Sequence, residues 1–367
     1  MNAQPKTRVL VVDDSALMRK VISAALCRDP GIEVVATAAN PYEARDRILE
    51  LEPDVLTLDI EMPGMDGLTF LGILQRRRPI PVVVVSSLAQ SGSQAALAAL
   101  EAGAVDVLAK PSGAQEAAAF NQLLPLRVKG AAAARWRVHT PQAGSGPAQR
   151  LGARHFDPRQ IILIGSSTGG VEALTEVIPQ LPDGLPGICI VQHIPPVFSK
   201  AFAERLNETC ALEVREAVSG DQLHPGLALV APGDFHMMTF WDNNCYRIVL
   251  NQGPAVHYTR PAVDMLFNSA AVCAGSRAVA ALLTGMGSDG ASGMQKLKSK
   301  GATTFAQNEE TCVVYGMPRA AVELGVVDRV LPLDEIPDAL VRSVLSRNDH
   351  NHCSEPSAPQ PKQFTHS

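Results

Sequence analysis

Along the first third of the chain, short runs of aliphatic and β-branched residues recur at 8–12 (RVLVV), 33–38, 54–58, 82–85 and 105–109. The intervals between them carry apolar residues at helical spacing, such as Ala44, Ile48 and Leu51, or Leu68, Leu71 and Leu74. Strands alternating with helices predict a doubly wound parallel sheet. A second series follows, with strand-like runs at 161–164, 188–191, 227–230, 246–250, 278–283 and 303–306 and helical patterns at 171–178, 199–208, 262–274 and 291–300. This half also reads as mainly parallel α/β. Between the two series lie an alanine run at 131–134 and the segment PQAGSGPAQ, a composition poor in apolar bulk and rich in helix breakers. The expected plan is therefore an α/β domain over 1–125, a linker over 126–157, a second α/β domain over 158–346, and a disordered polar tail over 347–367.

Composition narrows the function classes. A chain of 367 residues has room for two cores, and with 46% hydrophobic and 19% charged residues it reads as soluble and globular. A formal charge of -5 supplies no basic field, which argues against a nucleic-acid partner. Seven cysteines, odd in number and without a C-x-x-C pair, read as free thiols of a reducing compartment. No apolar run approaches the roughly 18 residues of a membrane span, so the expected location is cytoplasmic.

In an open parallel sheet, ligands sit beyond the carboxyl ends of the strands. In the first domain those ends carry Asp13 and Asp14, then Asp59, Ser86 and Lys110. Any one of them could simply cap a helix. Together, three converging carboxylates call for a hard cation such as Mg²⁺, and the hydroxyl and lysine suit an incoming phosphoryl group. The segments VVDDSALMR, LTLDIEMPGMDGL, VVSSL and LAKPS resemble the receiver domain of two-component response regulators. That resemblance implies a flavodoxin-like fold, Asp59 as phosphoryl acceptor, Asp13 and Asp14 as Mg²⁺ carboxylates alongside it, and Ser86 and Lys110 as sensors of the phosphoryl oxygens. Val107 stands where many receivers carry an aromatic switch residue.

In the second domain, the run IILI enters GSSTGG and then an apolar-periodic helix, so G-x-S-x-G places Ser167 on a strand-to-helix turn. Such a turn can present a nucleophile, or it can cradle a phosphate in a non-catalytic binding module. A phosphate cradle would place Lys or Arg soon after the glycines, whereas VEALTEVI offers only Glu172 and Glu176. A serine nucleophile needs a base and an orienting acid. His193 ends the strand after the serine turn, and Asp289 lies in the glycine-rich turn TGMGSDG after a later strand; Asp234 in APGDFH is a second choice of acid. The order Ser, His, Asp differs from that of α/β-hydrolases.

IGSSTGG, VQHIPP, APGDFHM, RPAVDMLF, LTGMGSDGA and AQNEETCVVYGMPRAA resemble the catalytic domain of the chemotaxis protein-glutamate methylesterases. The resemblance implies a Rossmann-like domain with Ser167 as nucleophile, His193 as base, Asp289 as its acid, and Thr168 and Met286 beside the oxyanion position. It further implies a phosphorylation-activated serine hydrolase that demethylates glutamate methyl esters and deamidates glutamines on methyl-accepting chemoreceptors. A chemotaxis histidine kinase would be the phosphoryl donor, the hydrolase site would use no cofactor, and association with membrane receptors would be peripheral. Ser166 and Ser288 stand where the family often has alanine and asparagine.

Overall fold

The computed structural model describes residues 5–87, 90–134, 157 and 159–352. The first unit runs β1 (Thr7–Val12), α1 (Ala16–Leu26), β2 (Ile32–Ala38), α2 (Pro41–Leu51), β3 (Val55–Leu58), α3 (Gly67–Arg77), β4 (Val82–Ser86), α4 (Gln90–Glu101), β5 (Asp106–Ala109) and α5 (Ala114–Ala133). Three of its helices start where the chain supplies a side-chain acceptor: Ser15 accepts from Met18, Asn40 from Tyr42 and Glu43, and Asp66 from Thr69. The five strands pair in parallel in the order β2-β1-β3-β4-β5, the flavodoxin-like order. All carboxyl ends therefore share one edge, and Asp13, Asp59, Ser86 and Lys110 are brought to it.

The expected boundary at 125 needs correction. Helix α5 continues through Pro125 to Ala133, and its Leu124, Val128 and Ala131 are buried with Val11, Leu26 and Phe120 of the first unit. Residues 126–133 belong to that unit because they complete its apolar face, and alanines carry no helix penalty. The rest of the expected linker, apart from Ala134 and Asp157, lies outside the described residues.

The second unit has β6 (Ile161–Ser166), α6 (Gly170–Val177), β7 (Ile188–Gln192), α7 (Pro196–Thr209), β8 (Glu213–Glu216), β9 (Gln222–Leu223), β10 (Leu227–Val230), β11 (His236–Asp242) and β12 (Cys245–Asn251). It continues with α8 (Val263–Cys273), β13 (Ala278–Leu282), α9 (Ala291–Ser299), β14 (Thr303–Gln307), α10 (Met317–Glu323), β15 (Arg329–Leu331) and α11 (Ile336–His352). Seven strands pair in parallel in the order β15-β14-β13-β6-β7-β10-β8. The strand expected at 246–250 is not among them: β12 lies in a separate antiparallel sheet with β11 and β9. Strands β8 (EVRE) and β15 (RVL) are edge strands, the first mostly charged and the second only three residues long, and neither carries a strand signal. The tail expected from 347 begins instead as the end of α11, and residues 353–367 lie outside the described ones.

From β6 the chain winds one way through β7 and β10 and returns on the other side through β13 and β14. Strand β6 and its neighbour β13 thus flank the topological switch point, where α/β folds open a crevice. The two units share a core. Leu58, Phe70 and Leu97 of the first belong to one apolar cluster with Ile164, Leu174 and Phe198 of the second, and α4 packs on α7. Glu101 and Arg205 form an ion pair across the contact. No described helix is long and apolar enough to cross a membrane.

Candidate active site

The chain leaves β6 at Ser166 and turns through Ser167, Thr168 and Gly169 into α6. Gly169 has φ +75°, and a Cβ there would meet Val313 at 2.5 Å, so both conformation and packing require glycine. The turn is tied down by the Ser167 N–H, which donates to the Thr284 carbonyl at 2.9 Å, and by the His193 N–H, which donates to the Ser166 carbonyl at 3.1 Å. Strands β13, β6 and β7 are neighbours, so the residues after them meet. His193 Nδ1 lies 3.1 Å from Ser167 Oγ, and His193 Nε2 lies 2.8 Å from Asp289 Oδ2. A carboxylate only accepts, so Nε2 carries the hydrogen and Nδ1 is left as the basic nitrogen facing the serine.

Asp289 is buried yet well supplied with donors. Its Oδ2 accepts from Val263 N–H at 2.7 Å and its Oδ1 from Asp264 N–H at 2.9 Å, both at the positive end of α8. Burial alone would raise its pKa, but the bond and charge of His193 and these two N–H groups hold it below the ordinary carboxylate value. Thr259 Oγ1 lies 3.3 Å from His193 Nε2. Among the described residues, the backbone N–H groups of Thr168 and Met286 donate no hydrogen bond.

Gln192, the last residue of β7, escaped the sequence reading. Its Oε1 accepts from Ser166 Oγ at 2.6 Å, and its Nε2 donates to the carbonyls of Ser167 at 2.8 Å and His193 at 3.2 Å, so one amide holds nucleophile and base in register. Its signal was position alone, between an apolar strand and a candidate base. Asp234, the second choice of acid, is half exposed and paired with Arg260, away from His193.

The first unit closes this site. Arg127 of α5 is 6% exposed, and its Nη1 lies 2.7 Å from Ser167 Oγ, 2.8 Å from Thr168 Oγ1 and 2.9 Å from Asp106 Oδ2. Thr168 Oγ1 donates to Asp106 Oδ2 at 2.5 Å. Gly130 in the next turn of α5 comes so close to Met286 that a Cβ would lie 3.0 Å from its sulfur. Only a small cleft remains, bounded by Val105 and Val107 on one side and Gly169, Val171 and His193 on the other. Neither Arg127 nor Asp106 was singled out in the sequence, since Arg127 fell in the expected linker.

At the carboxyl edge of the first sheet, ligand atoms of Asp13, Asp14 and Asp59 lie within 4.8 Å of one another. Lys110 Nζ reaches Asp59 Oδ2 at 2.7 Å and Asp13 Oδ2 at 2.9 Å. Burial, with the like charge of Asp13, raises the pKa of Asp59 despite the opposing bond and charge of Lys110. Burial also works against the charge on Lys110, but bonds to Asp59 and Asp13 raise its pKa overall. Ser86 Oγ is buried without a hydrogen-bond partner at the end of β4. An all-oxygen donor set of this kind fits a hard divalent cation.

The CheB methylesterase family model matches residues 162–340, and the response regulator receiver domain model matches residues 9–120. The chain is similar to protein-glutamate methylesterase/protein-glutamine glutaminase 2 of Syntrophus aciditrophicus, at 47% identity over 341 residues, 92% of this chain and 99% of that protein. Similarity to the protein-glutamate methylesterase/protein-glutamine glutaminase of Salmonella typhimurium is 46% over 341 residues, 92% of this chain and 97% of that one. The crystal structure of the Thermotoga maritima CheB methylesterase catalytic domain shares 43% identity, with a TM-score of 0.49 over 50% of this chain and 97% of that one.

Proposed function

Because this chain belongs to the CheB methylesterase family and contains a response regulator receiver domain, we propose that it hydrolyses glutamyl methyl esters on methyl-accepting chemoreceptors. Deamidation of receptor glutamines is proposed as a second reaction of the same site. The observation that carries this reading is the unbroken chain of bonds from Ser167 Oγ through His193 to Asp289 and the α8 N–H groups.

Ser167 Oγ attacks the γ-carbonyl carbon of the ester while its proton passes to His193 Nδ1. Asp289 steadies the imidazolium through Nε2–H, and the N–H groups of Thr168 and Met286 receive the negative charge that develops on the carbonyl oxygen. Collapse of the tetrahedral intermediate breaks the bond to methoxide, which leaves as methanol with the proton from Nδ1. Water, deprotonated by the same nitrogen, then cleaves the acyl-enzyme to give a γ-carboxylate and free Ser167. With glutamine, ammonia leaves in place of methanol.

Control by phosphorylation follows from Arg127. In the closed arrangement its guanidinium engages Ser167 Oγ, and the first domain occupies the space a protein substrate would need. A histidine kinase would supply a phosphoryl group to Asp59. Mg²⁺ would be held by Asp13, Asp14 and Asp59 and would supply positive charge beside the phosphoryl oxygens. Ser86 and Lys110 would turn toward those oxygens, a change at the edge of β4 and β5 that weakens the hold of Asp106 and Arg127. The phosphate-cradle alternative is disfavoured by Glu172 in the first turn of α6 and by Val313 packed against the glycine turn.

The test is methanol release from methylated receptor membranes by the full-length chain with and without a small-molecule phosphoryl donor. The expected result is stimulation that disappears in Asp59→Asn and on chelation of Mg²⁺. Equal phosphate incorporation by Asp59→Asn and the unmutated chain would remove Asp59 from its role.

A further inference from the structure

Residues 256–259 make a two-residue turn directly behind the catalytic base. Val256 N–H donates to the Thr259 carbonyl at 3.1 Å and Thr259 N–H returns a bond to the Val256 carbonyl at 2.9 Å. The two residues between them, His257 and Tyr258, have φ of +52° and +62°. Two consecutive left-handed residues are the type I′ geometry, whose favoured sequence is Asn-Gly. A histidine and a bulky tyrosine are strained there.

The surroundings hold the strain in place. His257 Nε2 lies 3.0 Å from Asp264 Oδ2, and the other oxygen of Asp264 accepts Gly293 N–H at 2.6 Å. The backbone N–H of the same Asp264 donates to Asp289. Thr259 Oγ1 donates to the Val256 carbonyl at 3.0 Å and turns its lone pairs to His193 Nε2, 3.3 Å away, as a second, weaker acceptor of the hydrogen directed at Asp289. The turn is thereby fastened to both acid and base. All of these bonds come from His257, Thr259 and the backbone, and none from the Tyr258 side chain.

Tyr258 is 59% exposed, so its ring contributes little to the core. A singly exposed aromatic is ordinary on a protein surface. What separates this one is its place: a strained backbone, next in sequence to a hydroxyl 3.3 Å from the catalytic imidazole. Strain over-determined in this way gathers at ligand clamps.

We propose that Tyr258 is a substrate-contacting residue, its ring receiving the polypeptide that flanks the glutamyl ester. This rests on the methylesterase reading above. A protein ester must cross the surface around the site; at Val171 and Glu172 that surface is faced by Val105 and Val107 of the first domain, whereas Tyr258 is exposed. A rigid aromatic supplies contact area at low entropic cost, and truncating such an anchor weakens binding more than chemistry.

The experiment uses the phosphorylated full-length chain and two variants, Tyr258→Ala and Tyr258→Gly. The second gives that turn position its preferred residue, leaves the His257 bond to Asp264 in place, and keeps the test valid if the alanine variant folds poorly. For both, KM for methylated receptor should rise about tenfold with little change in kcat. The ratio of receptor to p-nitrophenyl acetate kcat/KM should fall by the same factor, and the glycine variant should melt higher. A higher melting temperature with unchanged receptor KM would make the turn purely structural and overturn the proposal. Equal losses on receptor and small ester would overturn it too, by assigning the effect to the triad. An unmutated chain that hydrolyses the small ester but releases no methanol from receptor overturns the methylesterase reading itself, and this inference with it.

Discussion

Asp289 and Asp59 are both buried carboxylates beyond the ends of parallel strands, 1% and 2% exposed, and their pKa values move in opposite directions. Asp289 accepts from His193, Val263 and Asp264, and its pKa lies below the ordinary value despite desolvation. Asp59 accepts from Lys110 and, at 3.3 Å, from Glu61 N–H, and desolvation together with the like charge of Asp13 raises its pKa. Burial is the largest influence in both, and the donors around Asp289 outweigh it where those around Asp59, beside a second carboxylate, do not. A carboxylate whose charge is fully supported serves a site that is ready to react. One whose charge is under-supported serves a site whose charge is meant to change. In the proposed reading the hydrolase centre is complete, control falls to a cover over it, and Arg127, bonded to Ser167 Oγ, is the covering residue.

The largest effect comes from breaking the complete site. Ser167→Ala should lower kcat for ester hydrolysis by at least about 10⁴-fold, because nucleophile and base act as a unit. Ser166→Ala loses only the bond to Gln192 and should keep most activity. Labelling with a serine-reactive fluorophosphonate and mapping the peptide separates the two, and an adduct on Ser166 would reverse the assignment.

A smaller effect is expected from loosening the cover. Arg127→Ala removes the charge-assisted bonds that one guanidinium nitrogen makes to Ser167 and Thr168, together worth at least about 1.5–3 kcal/mol, and should raise the unphosphorylated rate by at least about tenfold. Removing the first domain should raise it as well. Initial rates of methanol release, compared at equal protein concentration, check both; a folded Arg127→Ala chain no faster than the parent would show that the cover is held elsewhere.

The smallest effect sharpens the contrast between the two carboxylates. With a folded pKa below its unfolded value, Asp289 contributes stability that is present above about pH 4 and lost as pH falls through the folded value. Asp59, raised when folded, works the other way: its ionisation opposes folding above about pH 4. Melting curves at pH 7 in the absence of divalent cation should show Asp289→Asn less stable and Asp59→Asn at least as stable as the parent. A drop for Asp59→Asn as large as that for Asp289→Asn would mean that Lys110 supports its charge fully.

The alternation of strands and helices, and the positions of Asp13, Asp59, Lys110, Ser167, His193 and Asp289 at strand ends, were readable from the chain because they rest on local signals. A run of four aliphatic residues that breaks at a glycine or a carboxylate marks a strand end whatever the rest of the protein does. Gly169 is of the same kind, a backbone requirement written at its own position. The bonds that the proposal makes regulatory are not. Arg127 meets Ser167 across 40 residues and Asp106 meets Thr168 across 62, and until the domains dock, a charged side chain on a helix reads as a solvated one. The His257–Tyr258 turn was also out of reach, because its residue types argue against the conformation they adopt, and only the bonds of Asp264 and Thr259 impose it. Local chemistry could be read from sequence because it depends on neighbours in the chain; closure of the site and strain at its rim depend on neighbours in space, which only the folded structure supplies.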